Sequence, residues 1–561
     1  MTGLISRNRL FAVALVLASL LRIDAELGYR WQSWFNDSWD YLDTAVTLKL
    51  DPTRTSGYGL YLWLLKPFHS LALVTISQHV MGLAVAVMMY ALAKRRFRAP
   101  SWLAVLVTLP VLFDGFEIQL EHLILSDTLF LFLVMLAITI LLWSPLRATR
   151  STWVRCAAAG ALIGLSAVVR STGVPLLPLV GLWVLLALAL NRVGWRALIA
   201  SVAAFAVTAL APSIGYAGWY DIQHGQFNSS ESIGVFLYSR VMTFAECSKM
   251  GQLPADLLAL CTTVPPDKRP IAQAYIWTPV SPLDRFPAPK FTPVPNSLGL
   301  QFAIRAIEAQ PLDYLRVTFD DTWRSFDWPR TVFPNPATYD EYLFGYEPVT
   351  VSPDHPADGY ASSAAAYLAG GNPETAIVDP FAGLIRTYQR YIWLPGTVYG
   401  LILLLGLAGL VLAWRRRDPA ADTDTDTDTD MGAGGAAGRA GRGNDGLAAL
   451  LPWACSLMLI VAPAATSEFD YRYVTTAVPF GCLALAVAFG RTVSAGPWLA
   501  RLRMQRSAVA PVSDVAPVSA SSPGELAEPG VPGEPDSPGE PEESGVPELS
   551  QPGPAEPRAA E

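Results

Sequence analysis

Long apolar blocks alternate with short polar breaks along this chain, and each block is about as long as a bilayer is thick. A helix that spans a membrane needs about 20 apolar residues, fewer where flanking side chains snorkel. Ten blocks meet that length, at 9–27, 70–92, 101–119, 127–144, 155–170, 174–191, 197–217, 390–413, 447–466 and 473–490. The breaks test the count, because cytoplasmic loops collect Lys and Arg. Arg7 and Arg9 place the N-terminus inside, so with ten spans every second loop should be basic. Those loops hold Lys94-Arg95-Arg96-Arg98, Arg147/Arg150/Arg155, Arg192/Arg196 and Arg415-Arg416-Arg417, and the C-terminal flank holds Arg491, Arg501, Arg503 and Arg506. The pattern predicts an α-helical polytopic protein of the cell membrane, with about ten transmembrane helices and both termini cytoplasmic.

The first block has a short apolar run, Leu10 to Leu21, close in length to a signal-peptide core. Arg22 and Asp24 follow where cleavage needs small residues, so a retained helix is expected. Two outer segments are long. Residues 28–69 form an acidic loop, and residues 218–389 are numerous enough for a mixed extracytoplasmic domain of their own. Within the second, "AIRAIEAQPLDYLRVTFDDTWRSF" (303–326) reads as two helices, with Pro311 at a first-turn position. Spans 1–7 thus lie in 1–217 and spans 8–10 in 390–490. A low-complexity cytoplasmic loop is expected at 415–446 and a disordered tail at 491–561.

Composition agrees with a membrane class. Of 561 residues, 52% are hydrophobic and only 16% charged, against about 25% charged in soluble domains. The net charge of -8 says little about a ligand surface, because the Pro-rich tail beyond Ser507 carries most of the acid. That tail cannot bury enough apolar surface to fold. The scarcity of Lys beside much Arg, Ala, Gly and Pro suggests a GC-rich bacterial genome. No nucleic-acid partner is expected. Three of the five cysteines, Cys156, Cys455 and Cys482, sit in apolar runs as packing residues. Cys247 and Cys261 lie 14 positions apart in the polar segment and are expected to pair if it faces an oxidising compartment. No C-x-x-C or similar metal spacing is present.

The stretch "NDSWDYLDTA" (36–45) concentrates the chemistry. It holds Asp37, Asp40 and Asp43 with no Lys or Arg. One explanation is a helix N-cap at Asp37, with Asp40 favoured by the helix dipole. The other is a site: on a helix, Asp37, Asp40, Tyr41 and Thr44 share a face and Asp43 points elsewhere. Trp31, Trp34 and Trp39 suit an interfacial belt, or else a sugar-stacking surface.

"DSWDYLDTA" has the form D-x-x-x-Y-x-x-x-A, with Asp37, Tyr41 and Ala45 in place. It resembles the first outer loop of the C-type-fold (GT-C) membrane glycosyltransferases, which include protein O-mannosyltransferases and lipid A aminoarabinose transferases. "TSGYGLYLWLLKPF" (55–68), "LILSDTLFLFLVMLA" (123–137), "VVRSTGVPLLPL" (168–179) and "FDYRYVTTAVPF" (469–480) are also similar to family segments. Asp37-Ser38 stands where the family has an Asp-Glu pair, so Asp40 is the candidate second acid.

The resemblance implies an enzyme that moves a sugar from a polyprenyl-phosphate donor to a cell-envelope glycan, lipid or protein at the outer face. The leaving phosphate monoester, with a second pKa of about 6, needs no general acid. What the reaction needs is a base for the acceptor hydroxyl and a cation for the phosphate. Asp37 is the expected base, with Asp40 as helper and a pKa raised by the nearby lipid. Tyr41 shares their face. Arg170, Arg472 and Arg22, at outer helix ends, are the candidate phosphate clamps, because a guanidinium grips phosphate as a fork. Glu121-His122 and Asp127 are further candidates for substrate contact. No spacing indicates a metal, and the cofactor is left open. A transporter of the same lipid and an inactive scaffold remain alternative readings; the absence of an internal repeat counts against a transporter.

Overall fold

The computed structural model describes residues 8–30, 32–347, 357–415 and 445–494. Trp31, the Asp-Thr repeat and the acidic tail lie outside the described residues. Helix dominates, and six helices are long and apolar enough to cross a membrane: Leu71–Arg96, Arg150–Val169, Ser171–Leu190, Trp195–His224, Gly446–Thr466 and Tyr471–Phe489. A seventh span is formed if Phe381–Tyr391 and Gly396–Leu412 are taken together across their 56° bend. The chain is a multi-pass, mostly helical membrane protein.

Three of the ten expected spans take a different form. The first helix, Arg9–Gly28, fills its block, but Arg22, Asp24 and Glu26 crowd its last two turns. Asp127–Leu142 is only 16 residues long and packs between Leu71–Ala91 and Arg150–Val169. The block at 101–119 is not one helix. It breaks into Ser101–Leu106, Leu109–Phe113 and Gly115–His122. Pro110 opens the second piece, lacking the N–H a continuing helix needs, and the Asp114 carboxylate caps the third by accepting from Phe116 N at 2.8 Å.

Helix Arg150–Val169 meets Trp195–His224 closely. Gly160 and Gly164 lie against the backbone carbonyls of Phe205 and Ala209, where any Cβ would collide, as in small-residue packing between membrane helices. The opposite side of Trp195–His224 exposes Ile199, Val207, Leu210 and Ile214, a surface suited to lipid.

The acidic loop is anchored at both sides. Strand Tyr29–Arg30 pairs antiparallel with Ala376–Ile377. Ser33 bridges Leu123, with Ser33 N donating to His122 O at 3.1 Å and Ile124 N to Ser33 O at 3.2 Å. Helix Ser38–Thr47 follows and ends at Leu48 in the left-handed region (φ 56°), before helix Gly57–Leu65.

Among the described residues of the second outer segment, 218–389, helices and 3-10 turns predominate. Its described strand, Ala376–Ile377, pairs back to the first loop. Helices Pro293–Ala309 and Pro311–Arg324 match the expected pair, with Pro311 opening the second. Tyr238, Leu260, Phe302 and Ala303 centre a local core. Pro311–Arg324 turns Leu312, Leu315, Phe319 and Trp323 outward, all exposed. Its Tyr314 hydroxyl donates to Ala465 O at 3.0 Å, at the end of a span, so the stripe suits a membrane interface.

Cys247 and Cys261 are joined as a disulfide, with Cα atoms 6.1 Å apart. Closing a loop of this length should stabilise the segment by about 3 kcal/mol. Peptide mass spectrometry without reduction should find the two cysteines linked; two freely alkylated thiols would refute the bond.

Candidate functional site

Asp37 occupies the N-cap position of helix Ser38–Thr47, but its side chain makes no capping hydrogen bond. The carboxylate is held instead by two guanidiniums. Arg54 Nη1 lies 2.6 Å from Oδ1, and Arg472 Nη1 donates to Oδ2 at 2.7 Å. Arg54 comes from the link between helices Ser38–Thr47 and Gly57–Leu65, and Arg472 from the start of the last described helix. Arg54 also reaches Asp40, Nη2 to Oδ2 at 3.2 Å, and Arg472 Nε donates to Asp470 at 3.1 Å. The Tyr342 hydroxyl donates to Asp470 at 2.5 Å.

The network continues inward. Buried Tyr41 and Ser126 share a hydroxyl hydrogen bond of 3.1 Å. Beside them Arg170 pairs with Asp127. Arg170 and Arg472 both lie over the Tyr473 ring, 5.1 and 5.7 Å from its centre. Three of the expected residues, Asp37, Asp40 and Tyr41, therefore share one helix face, and Arg170 and Arg472 converge on them. Asp43 points away, accepting from Ser363 Oγ at 2.9 Å.

The electrostatics correct one expectation. Burial alone raises the Asp37 pKa, but Arg54 and Arg472 outweigh it and hold the carboxyl well below the usual range. The acid with a raised pKa is its neighbour Glu341, pushed up to about 8 by burial, although it accepts from Asn36 N at 3.3 Å. Burial also raises Asp470.

Glu341 binds its proton more tightly folded than unfolded. Its contribution therefore falls as pH rises from about 4.5 toward 8. Thermal unfolding between pH 5 and 8 should show that decline, and Glu341→Gln should flatten it. An unchanged slope in the variant would contradict this protonation.

Two expected phosphate or substrate contacts are used elsewhere. Arg22 is buried, and its five N–H groups go to Glu121 and to the carbonyls of Ala18, Val111 and Leu112. It is an internal ion-pair partner and not a clamp. Glu121 and His122 are fully buried, Glu121 on Arg22 and His79, and His122 on Tyr29 O. Neither is placed for substrate contact. Trp34 and Trp39 are buried and stacked at 4.4 Å, forming neither a membrane belt nor an open sugar platform.

Arg54, Asp470, Tyr342 and Glu341 escaped the sequence reading. Asp470 stood inside a segment already singled out, and Arg54 directly precedes another. Tyr342 and Glu341 carry no comparable signal. A small pocket lined by Asp114, Glu117, Arg330 and Thr475 among others includes no residue of the Asp37 network.

No family model matches the chain, and no curated protein matches it. Among solved structures it is similar to archaeal oligosaccharyltransferase AglB from Archaeoglobus fulgidus, in complex with an inhibitory peptide and a dolichol-phosphate. That match has 12% identity and a TM-score of 0.39 and covers 90% of this chain, which spans about half of the archaeal protein (52%). It is also similar to ArnT from Cupriavidus metallidurans. The apo form matches at 12% identity, TM-score 0.31, covering 86% of this chain and 78% of that one. The form bound to undecaprenyl phosphate matches at 13% identity, TM-score 0.31, covering 90% and 82%.

Proposed function

We propose that the chain is a membrane glycosyltransferase that moves a sugar from a polyprenyl-phosphate donor to a cell-envelope glycan, lipid or protein at the extracytoplasmic face. The observation that carries this reading is the clamp on Asp37: a carboxylate held between Arg54 and Arg472, with Arg170 alongside. These are the two components such a transfer needs, a base and cations for phosphate.

The clamp also supplies an order of events. A donor phosphate competes with Asp37 for Arg54 and Arg472. As the guanidiniums turn to the phosphate, Asp37 loses its counter-charges and its pKa rises, so it becomes a base only when donor is bound. Asp37 then takes the acceptor hydroxyl's proton, and the acceptor oxygen attacks the sugar carbon from the side opposite the phosphate. The C–O bond to phosphate breaks with inversion and the phosphate leaves as an anion on the arginines. Asp40 keeps hold of Arg54 and Tyr41 fills the face below.

In this orientation both termini are cytoplasmic, so a reporter at Asp284 should score outside and one at Arg196 inside. The reversed pattern would put the site on the wrong face for an exported donor. Lipid and glycan mass spectrometry of cells lacking the gene tests the function itself. Loss of one glycosylated product with build-up of a polyprenyl-phosphate sugar is expected. Unchanged lipid and glycan profiles would reject the transferase.

A further inference from the structure

We propose that Glu26, His79 and His122 bind one divalent transition-metal ion, zinc foremost, at a site separate from the Asp37 network. Glu26 comes from the last turn of Arg9–Gly28, His79 from Leu71–Ala91 and His122 from the end of Gly115–His122. All three are buried, at 9%, 4% and 0% exposure, and their ligand atoms lie within 4.8 Å of one another.

The hydrogen bonds around the two imidazoles fix which nitrogens carry protons. His79 Nδ1 lies 2.8 Å from Glu121 Oε2, and both Glu121 oxygens also accept from Arg22. Both oxygens already serve as acceptors there, so His79 Nδ1 is the donor. His122 Nε2 lies 2.8 Å from the Tyr29 carbonyl, which only accepts, so His122 Nε2 carries the hydrogen. In the neutral rings the remaining nitrogens, His79 Nε2 and His122 Nδ1, then point lone pairs at each other across 3.3 Å. Glu26 Oε1 completes a triangle, 3.6 Å from the first and 3.8 Å from the second. The Glu26 carboxylate is buried, with the Thr75 hydroxyl beside it as a side-chain hydrogen-bond partner.

Two facing lone pairs and a buried carboxylate call for a cation between them. Tetrahedral zinc with bonds of about 2.05 Å separates its ligands by about 3.3 Å. The observed edges reach that value with closure of a few tenths of an ångström. A proton shared by the imidazoles would satisfy their lone pairs but leave Glu26 outside hydrogen-bond range, and a metal ion engages all three. The outer shell is also in place. Glu121 orients His79 as a carboxylate orients a zinc-bound histidine, and a backbone carbonyl orients His122. Gly82 makes room for Glu121, because a Cβ there would collide with Oε1.

The ion would tie the first helix to the Leu71–Ala91 span and to the chain at His122. That chain bridges Ser33, four residues before Asp37. The site therefore positions the loop that carries Asp37 without touching substrate, and it stands whether or not the transferase reading does.

The test uses the full-length protein purified without a histidine tag, stripped with a chelator and titrated with Zn²⁺ or Co²⁺ alone. One zinc per chain, a rise in unfolding temperature, and the visible absorption of four-coordinate Co²⁺ are expected. Glu26→Gln, His79→Gln and His122→Gln should each lose stoichiometric metal. Glu121→Gln should weaken binding about 10–100-fold. His69→Gln and His224→Gln should bind normally. Should the ligand variants fail to fold, X-ray absorption of the wild-type Co²⁺ protein should still count two imidazoles and a carboxylate. Absence of stoichiometric metal with no change in unfolding temperature, or a six-coordinate shell of oxygens, would overturn the site.

Discussion

Asp37→Asn should lower sugar transfer by about 10²–10⁴-fold, the usual worth of a general base, while leaving donor binding intact or tighter. The substitution keeps the shape of the side chain and removes the charge. Arg54 and Arg472, 2.6 and 2.7 Å away, lose their competing anion and become more available to phosphate. Stability should not be spared, as a capping role alone would imply, because losing a charge-assisted hydrogen bond costs about 1.5–3 kcal/mol. Transfer assays at matched folded protein, read beside donor titrations, separate the two roles. A variant that transfers normally has lost only a structural anion; one that fails because donor no longer binds places Asp37 in phosphate positioning instead of proton transfer. Asp43→Asn should do little, since that carboxylate faces Ser363, and Asp40→Asn should fall between, through its bond to Arg54.

The second large effect concerns the cations. Arg472 uses Nε on Asp470 and Nη1 on Asp37, a division that one ammonium cannot reproduce. Arg472→Lys should weaken donor binding about 10–100-fold, corresponding to the loss of about 1.5–3 kcal/mol in hydrogen bonding to a charged group. Arg54→Lys should behave alike. The expected signature is a raised KM for donor with kcat changed far less. Equal donor affinity in both lysine variants would remove the arginines from phosphate binding.

Much of this arrangement could be read from residue order, and the reason for each failure is physical. Apolar block length located the long spans because a bilayer sets one thickness for all of them. The same measure misread 101–119, where Pro110 and the Asp114 cap interrupt a block whose hydrophobicity continues. Helix-face geometry placed Asp37, Asp40 and Tyr41 together and set Asp43 apart, because a period of 3.6 residues is local. The pairing of Asp37 with Arg472 spans 435 positions, and no local pattern reports it. Arg22 stood at a helix end like Arg170 and Arg472. Only packing shows that carbonyls and Glu121 take all its donors. The sign of the Asp37 shift was missed for the same reason: nearness to lipid predicts desolvation, and two guanidiniums from distant segments reverse it. Glu26, His79 and His122 have no motif spacing, since they come from three elements that meet only in the folded chain.

The most direct measurement uses the polyprenyl-phosphate lipid that accumulates in cells lacking the gene, presented to purified protein together with the acceptor fraction of those cells. Wild type and Asp43→Asn should move sugar from lipid to acceptor with inversion at the sugar carbon. Asp37→Asn should bind the same lipid yet transfer about 10²–10⁴-fold more slowly. Full-rate transfer by Asp37→Asn, or retention of configuration in the wild-type product, would contradict a carboxylate base held in reserve between two arginines.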